Sequence, residues 1–144
     1  MEDSGSRQRN AALMRYTAVL FVQTQRASIH LIARPIAPTD TNLIAGMKLY
    51  QTNCASCHGG IDRPKGIFAD ALYPHAPQFV EDAPDMPESQ NFYIIEHGIR
   101  WSGMPAWKQV LSNQEAWQLT TFLSHMDKLP PRVSVAWKTS ATQP

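Results

Sequence analysis

Cysteine is scarce in this chain: two in 144 residues, both between positions 54 and 57. No second pair exists to complete a four-thiolate zinc shell. Charge is scarce too. Charged residues make up 17% of the chain and the formal net charge is +1, so no nucleic-acid partner is expected. No apolar run is long enough to cross a bilayer; the best, Thr17 to Val22, stops at Gln23. That run follows Arg15 and no clear small-residue cleavage site comes after it, so an export signal is not evident. Acids are absent between Ser4 and Thr39, the stretch that holds Arg7, Arg9, Arg15, Arg26 and Arg34. A basic arm thus precedes a mildly acidic body.

What is present points to a small, loop-rich, helical fold. Hydrophobic residues make up 43%, enough for a core, and there are 11 prolines. The pattern divides the chain into a basic, partly helical extension over 1–38, a compact domain over 39–129 and a loosely held tail over 130–144. Leu13, Tyr16, Leu20, Ala27 and Leu31 place a helix in 11–33, which packs on the domain, stays free or lies on a membrane surface. Thr39 or Asp40 caps the next helix, running to about Thr52 with Leu43, Met47 and Tyr50 as its apolar stripe. Gly46 costs that helix stability, and close approach of another helix would explain it. Ser89 caps a short helix that ends at Gly98. Ser112 and Glu115 form a capping-box pattern that opens the last helix, which runs to about Lys128 before Pro130 and Pro131. The proline- and glycine-rich stretch from Gly59 to Pro87 is too long for an idle loop.

The chemistry sits in Cys54-Ala55-Ser56-Cys57-His58. Cys-x-x-Cys-His reads as a c-type haem attachment site. Each thiol adds across one vinyl group, and on a helical turn residues three and four apart share a face. His58 then becomes the proximal iron ligand. A redox dithiol lacks the surrounding strand–helix pattern. A Cys/Cys/His zinc trio with one outside ligand stays open.

Wrapping a haem edge gives the long loop a purpose. A second axial ligand is required opposite His58, and thioether sulfur there raises the potential. Met104, in Gly103-Met104-Pro105, lies between two helices in a loop that Gly103 brings close and Pro105 stiffens. His75, His97 and His125 are rivals. His97 is also explained as a polar cap at a helix end. Glu81, Asp82, Asp85 and Glu88 form an acidic run, read as a solvated loop or a cation site.

These residues together resemble the class I c-type cytochromes. The resemblance covers roughly 40–129 and rests on Gly46 and Tyr50, the Cys54 to His58 motif, Gly98-Ile99-Arg100, Gly103-Met104-Pro105-Ala106-Trp107 and the Trp117-bearing last helix. It is nearest to bacterial monohaem cytochromes, including the haem domain of c-type subunits of respiratory oxidases. It implies an all-α fold with crossed first and last helices and loops wrapping one covalent haem c. Gly46 and Tyr50 would cross the last helix near Trp117. The Pro77 carbonyl would accept a hydrogen bond from the proximal imidazole. Tyr73, Arg100, Trp101 and Trp107 would line the haem or bind its propionates, Arg100 through its guanidinium fork.

The expected activity is one-electron transfer between a redox-protein donor and acceptor, with no catalytic residue. The expected location is the periplasmic side of a bacterial membrane, soluble or peripherally attached. The alternatives are the haem domain of a fixed membrane enzyme complex, with residues 7–34 as the docking or membrane-surface element, and a haem peroxidase.

Overall fold

The computed structural model describes residues 36–140. The helix expected in 11–33, most of the 1–38 extension and the last four residues lie outside that range. Among the described residues there are five α-helices, one short 3-10 helix and no strand. The helices are α1 (Asp40–Asn53), α2 (Ala55–His58), α3 (Glu88–His97), α4 (Asn113–Leu123) and α5 (Pro131–Ser140), with the 3-10 turn at Ala69–Ala71.

α1 begins where the Thr39 side chain accepts from the Asn42 amide, with Asp40 in the first turn. A carboxylate there offsets the positive end of the helix dipole. Leu43, Gly46, Met47 and Tyr50, at steps of three and four, are its buried face. α4 opens with the expected capping box: the Glu115 amide donates to Ser112 Oγ, and the Ser112 amide donates to Glu115 Oε2 at 2.8 Å. Seven of its eleven residues are buried, the mark of a helix enclosed on nearly every side. Its buried Thr120 hydroxyl donates to the Ala116 carbonyl at 2.8 Å, which avoids an unpaired polar group in the core.

α1 and α4 cross at Gly46. A Cβ there would run into the carbonyl oxygen of Gln118 and lie 2.8 Å from Phe122 Cβ. The missing side chain is what lets the two backbones meet. α3 closes on α4 through Phe92, stacked on Trp117 with centroids 4.1 Å apart.

Three expectations need correction. Ser89 does not cap α3; it lies inside the helix, and the Pro87 carbonyl accepts from the Gln90 and Asn91 amides instead. α4 ends at Leu123 rather than near Lys128, the chain continuing in turns such as Lys128 N–H to His125 O. The described part of the tail, to residue 140, is not loosely held. Pro131 starts α5 and its fixed φ suits a first helical position, while Val133 and Trp137, four apart, are buried.

Candidate cofactor site

One main-chain oxygen organises the motif. The carbonyl of Cys54 accepts from the amides of Cys57 (3.0 Å) and His58 (2.9 Å). This winds residues 55–58 into the single turn α2, which follows directly on α1. Cys54 and Cys57 are therefore one turn apart, and both are free thiols. Burial, with Cys57 adjacent, pushes the Cys54 thiol up to about 12. A thiol that stays protonated at neutral pH is a poor redox nucleophile. Among the described residues no three His, Cys, Asp or Glu side chains converge as metal ligands, so neither the zinc trio nor the acidic run finds a shell.

His58 is buried and fixed on three sides. Its Nδ1 is 2.9 Å from the Pro77 carbonyl oxygen. A carbonyl only accepts, so Nδ1 carries the proton and Nε2 keeps its lone pair. Phe79 lies parallel on the imidazole, centroids 4.3 Å apart, and its amide donates to the His58 carbonyl at 2.9 Å. Burial lowers the His58 pKa, with the Pro77 bond acting in the opposite sense. The net result favours the neutral ring, the form that binds metals.

The segment carrying Pro77 is pinned by Gln78. Its Nε2 donates to the carbonyls of Cys57 (3.1 Å) and Ala76 (2.6 Å), and its Oε1 accepts from the Gly66 amide at 2.7 Å. On the other side, the buried Tyr50 hydroxyl donates to the Gly59 carbonyl at 2.6 Å, with the His58 carbonyl at 3.2 Å. Sequence reasoning assigned no role to Gln78 or Phe79. Their adjacency to Pro77 was the one available signal.

Met104 sits in a tightly tied loop after α3. Gly98 has φ +67°, and a Cβ there would lie 2.7 Å from the Met104 oxygen. The Ile99 amide donates to that oxygen at 3.1 Å, and the Met104 amide donates to Ser102 Oγ at 3.1 Å. The Trp107 amide anchors the loop to the Ile95 carbonyl at 2.9 Å. Gly103 abuts the Leu72 side chain. Leu72 directly follows the Ala69–Ala71 turn, itself preceded by Phe68, whose amide donates to the Ser56 carbonyl. The Met104 loop is thus joined through residues 68–72 to the motif turn.

Of the remaining candidates, Tyr73 and Arg100 are exposed, and Arg100 makes no ion pair with a described residue. The rival histidines are held locally: His97 Nδ1 by Tyr93 O, His125 Nδ1 by Thr121 O and His75 Nδ1 by Ala69 O. His97 also stacks on Tyr93 at 4.0 Å, in keeping with a polar cap.

The site fits a haem in three respects. Two thiols and a histidine with a free Nε2 occupy one turn. Ile67, Phe68, Tyr73 and Trp101, in the segments on either side of the Leu72–Gly103 contact, are half or more exposed, Trp101 at 75%, a large apolar area for loops of so small a domain. The indole Nε1 of Trp107 is buried with no partner among the described residues, and such a donor requires an acceptor.

An all-α domain with crossed α1 and α4 and a helix-borne Cys-x-x-Cys-His turn is a class I c-type cytochrome domain. Residues 41–123 match the family of cytochrome c oxidase, cbb3-type, subunit III, and the chain belongs to that family. The fold is shared with a chain of the Kuenenia stuttgartiensis reducing HAO-like protein complex Kustc0457/Kustc0458, at a TM-score of 0.51 and 23% identity. That likeness covers 64% of this chain and 47% of the other, so this chain spans about half of its neighbour's length. No curated protein matches. Membership implies haem c and haem-based electron transfer.

Proposed function

We propose that this protein carries one electron at a time between redox-protein partners, using a single haem c attached at Cys54 and Cys57. Haem c, when bound, supplies an iron that exchanges one electron between its ferric and ferrous forms. The chain's own residues hold it. Cys54 and Cys57 would supply the thioether sulfurs, and His58 Nε2 and Met104 would hold the iron. The observation that carries this reading is His58: a buried neutral imidazole, its Nδ1 engaged by Pro77, one residue after the second of two free thiols. The Pro77 bond makes the ring a stronger donor. Trp107 Nε1–H and Arg100, which has no ion pair among the described residues, are the donors suited to propionates. No residue is assigned to bond-making chemistry.

The site is proposed to work on the periplasmic side of a bacterial membrane. No described helix is long and apolar enough to cross one. A second reading, a haem domain seated permanently in a membrane enzyme complex, is favoured by the family, whose model describes a subunit of an oxidase. The basic residues 7–34 would then dock it. Deleting residues 1–38 separates the two, since a fixed subunit loses recovery of its complex in pull-downs and a free carrier does not.

The direct test is to express the chain with a haem-maturation system, then measure its mass, its pyridine haemochrome spectrum and a redox titration. The reading requires the mass of one added haem and a single one-electron wave. A bare-chain mass after maturation in a competent host overturns it.

A further inference from the structure

The family match ends at residue 123, yet α5, which lies beyond it, packs against Tyr50, whose hydroxyl reaches the motif turn. Trp137 is 6% exposed and meets Tyr50 edge-on at 5.9 Å and Phe122 at 5.4 Å, while Tyr50 and Phe122 are 5.7 Å apart. Tyr50 is fully buried within this three-ring cluster. α5 packs along α1. It is tied there by Gln51, next to Tyr50, whose Nε2 donates to Ser140 Oγ; that hydroxyl in turn donates to the Trp137 carbonyl at 2.7 Å.

The far end of Tyr50 touches the ligand-bearing turn. Its hydroxyl has one proton, and the shorter contact, 2.6 Å, sends it to the Gly59 carbonyl immediately after His58. Gly59 has φ +81°, a left-handed backbone that ends α2. The residue is shut off from solvent, so no water competes with the carbonyl for that proton. A ring held on two aromatic walls cannot swing its hydroxyl away. Remove one wall and it can.

We propose that Trp137 is a positioning residue for the axial-histidine turn: by walling in Tyr50 it keeps the phenol bonded to the Gly59 carbonyl and so fixes His58. The proposal rests on the reading that His58 ligates haem iron. It gives the last helix a role in ligand geometry rather than only in covering the core.

Residue-resolved amide hydrogen exchange on the full, haem-matured chain tests it. The reporters are Gly59, which donates to the Ala55 carbonyl, and Phe79, which donates to the His58 carbonyl. The reference is Gly98, which donates to the Ile94 carbonyl at the end of α3. Trp137→Ala is expected to speed exchange at Gly59 and Phe79 about tenfold relative to Gly98. Trp137→Phe should restore most of the protection. Val133→Ala, which truncates an equally buried neighbour on α5, should leave the ratio unchanged. In a Tyr50→Phe background, Trp137→Ala should add nothing at Gly59, because the path runs through the hydroxyl. Equal acceleration at all three amides, or an unchanged ratio, overturns the proposal. Should Trp137→Ala not fold, Tyr50→Phe alone decides: an unaltered Gly59-to-Gly98 ratio overturns it. Mass is measured on the same samples, so failure of haem attachment is read separately from failure of the exchange pattern.

Discussion

Gly46 lies so close to Gln118 that a single methyl group on it would overlap the Gln118 carbonyl oxygen. The obstacle is backbone, which cannot rotate away. In Gly46→Ala the better helix propensity of alanine offers about 1 kcal/mol. Prying apart the α1–α4 crossing costs about 1–3 kcal/mol, towards the upper end when main chain must move. We expect net destabilisation, seen as a lower denaturant midpoint for the matured protein. An unchanged or raised midpoint would show that the crossing yields freely.

Gln78 makes three hydrogen bonds that fix the Pro77 segment, one of them to the Cys57 carbonyl in the motif turn and the others to Ala76 and Gly66. Gln78→Leu leaves the Gly66 amide and two carbonyls without their partner, a loss of about 1–3 kcal/mol in stability. A slacker Pro77–His58 bond makes the imidazole a weaker donor, so the reduction potential should rise. Pro77→Ala keeps the carbonyl and should shift the potential far less. Redox titration of both variants checks the order, and the reverse order would contradict this account of the loop.

Met104→Ala should leave the haem attached, since the thioethers do not involve that loop, but should abolish the ferric absorption band of methionine–iron ligation. Loss of the thioether should also lower the potential. Retention of the band would move the ligand role elsewhere, with His75 the first residue to substitute. An opened iron site also permits a direct assay for peroxide reduction in this variant.

Glu115 accepts from the Ser112 hydroxyl at 2.7 Å and from the Ser112 amide at 2.8 Å, and these bonds hold its pKa below the ordinary carboxylate range. Because the folded-state value is the lower one, the unfolded chain takes up the proton first as pH falls. The stabilisation is complete above the ordinary carboxylate range and is lost as pH drops through the depressed value. Acid unfolding of Glu115→Gln should therefore show a shallower pH dependence in that window than the parent chain. Parallel curves would mean that the cap bond contributes nothing through charge.

Much of the site was legible in the sequence, for particular reasons. The Cys54 to His58 spacing encodes one helical turn, and one turn is what forms. Ser112 and Glu115 are a local signal satisfied locally. Gly46 was conspicuous because a mid-helix glycine demands a cause, and the cause is Gln118. What escaped was non-local or two-faced. Gln78 reaches the Cys57 carbonyl across 21 positions, a contact no local pattern announces. Phe79 looks like any loop aromatic until it lies on His58. The pair Pro130-Pro131 reads as a full stop, yet Pro131 is also a permitted first helical residue, and the Val133–Trp137 spacing of four was the clue to α5.

The face-to-face contact of Phe79 with His58 has a magnetic consequence. With its edge tethered and one face covered, the imidazole cannot spin about its own bond, so its far nitrogen presents a single azimuth to whatever it binds. An oxidised iron held there should have its anisotropy axes set by the protein. Frozen samples should then give one sharp set of paramagnetic resonances rather than a spread of orientations.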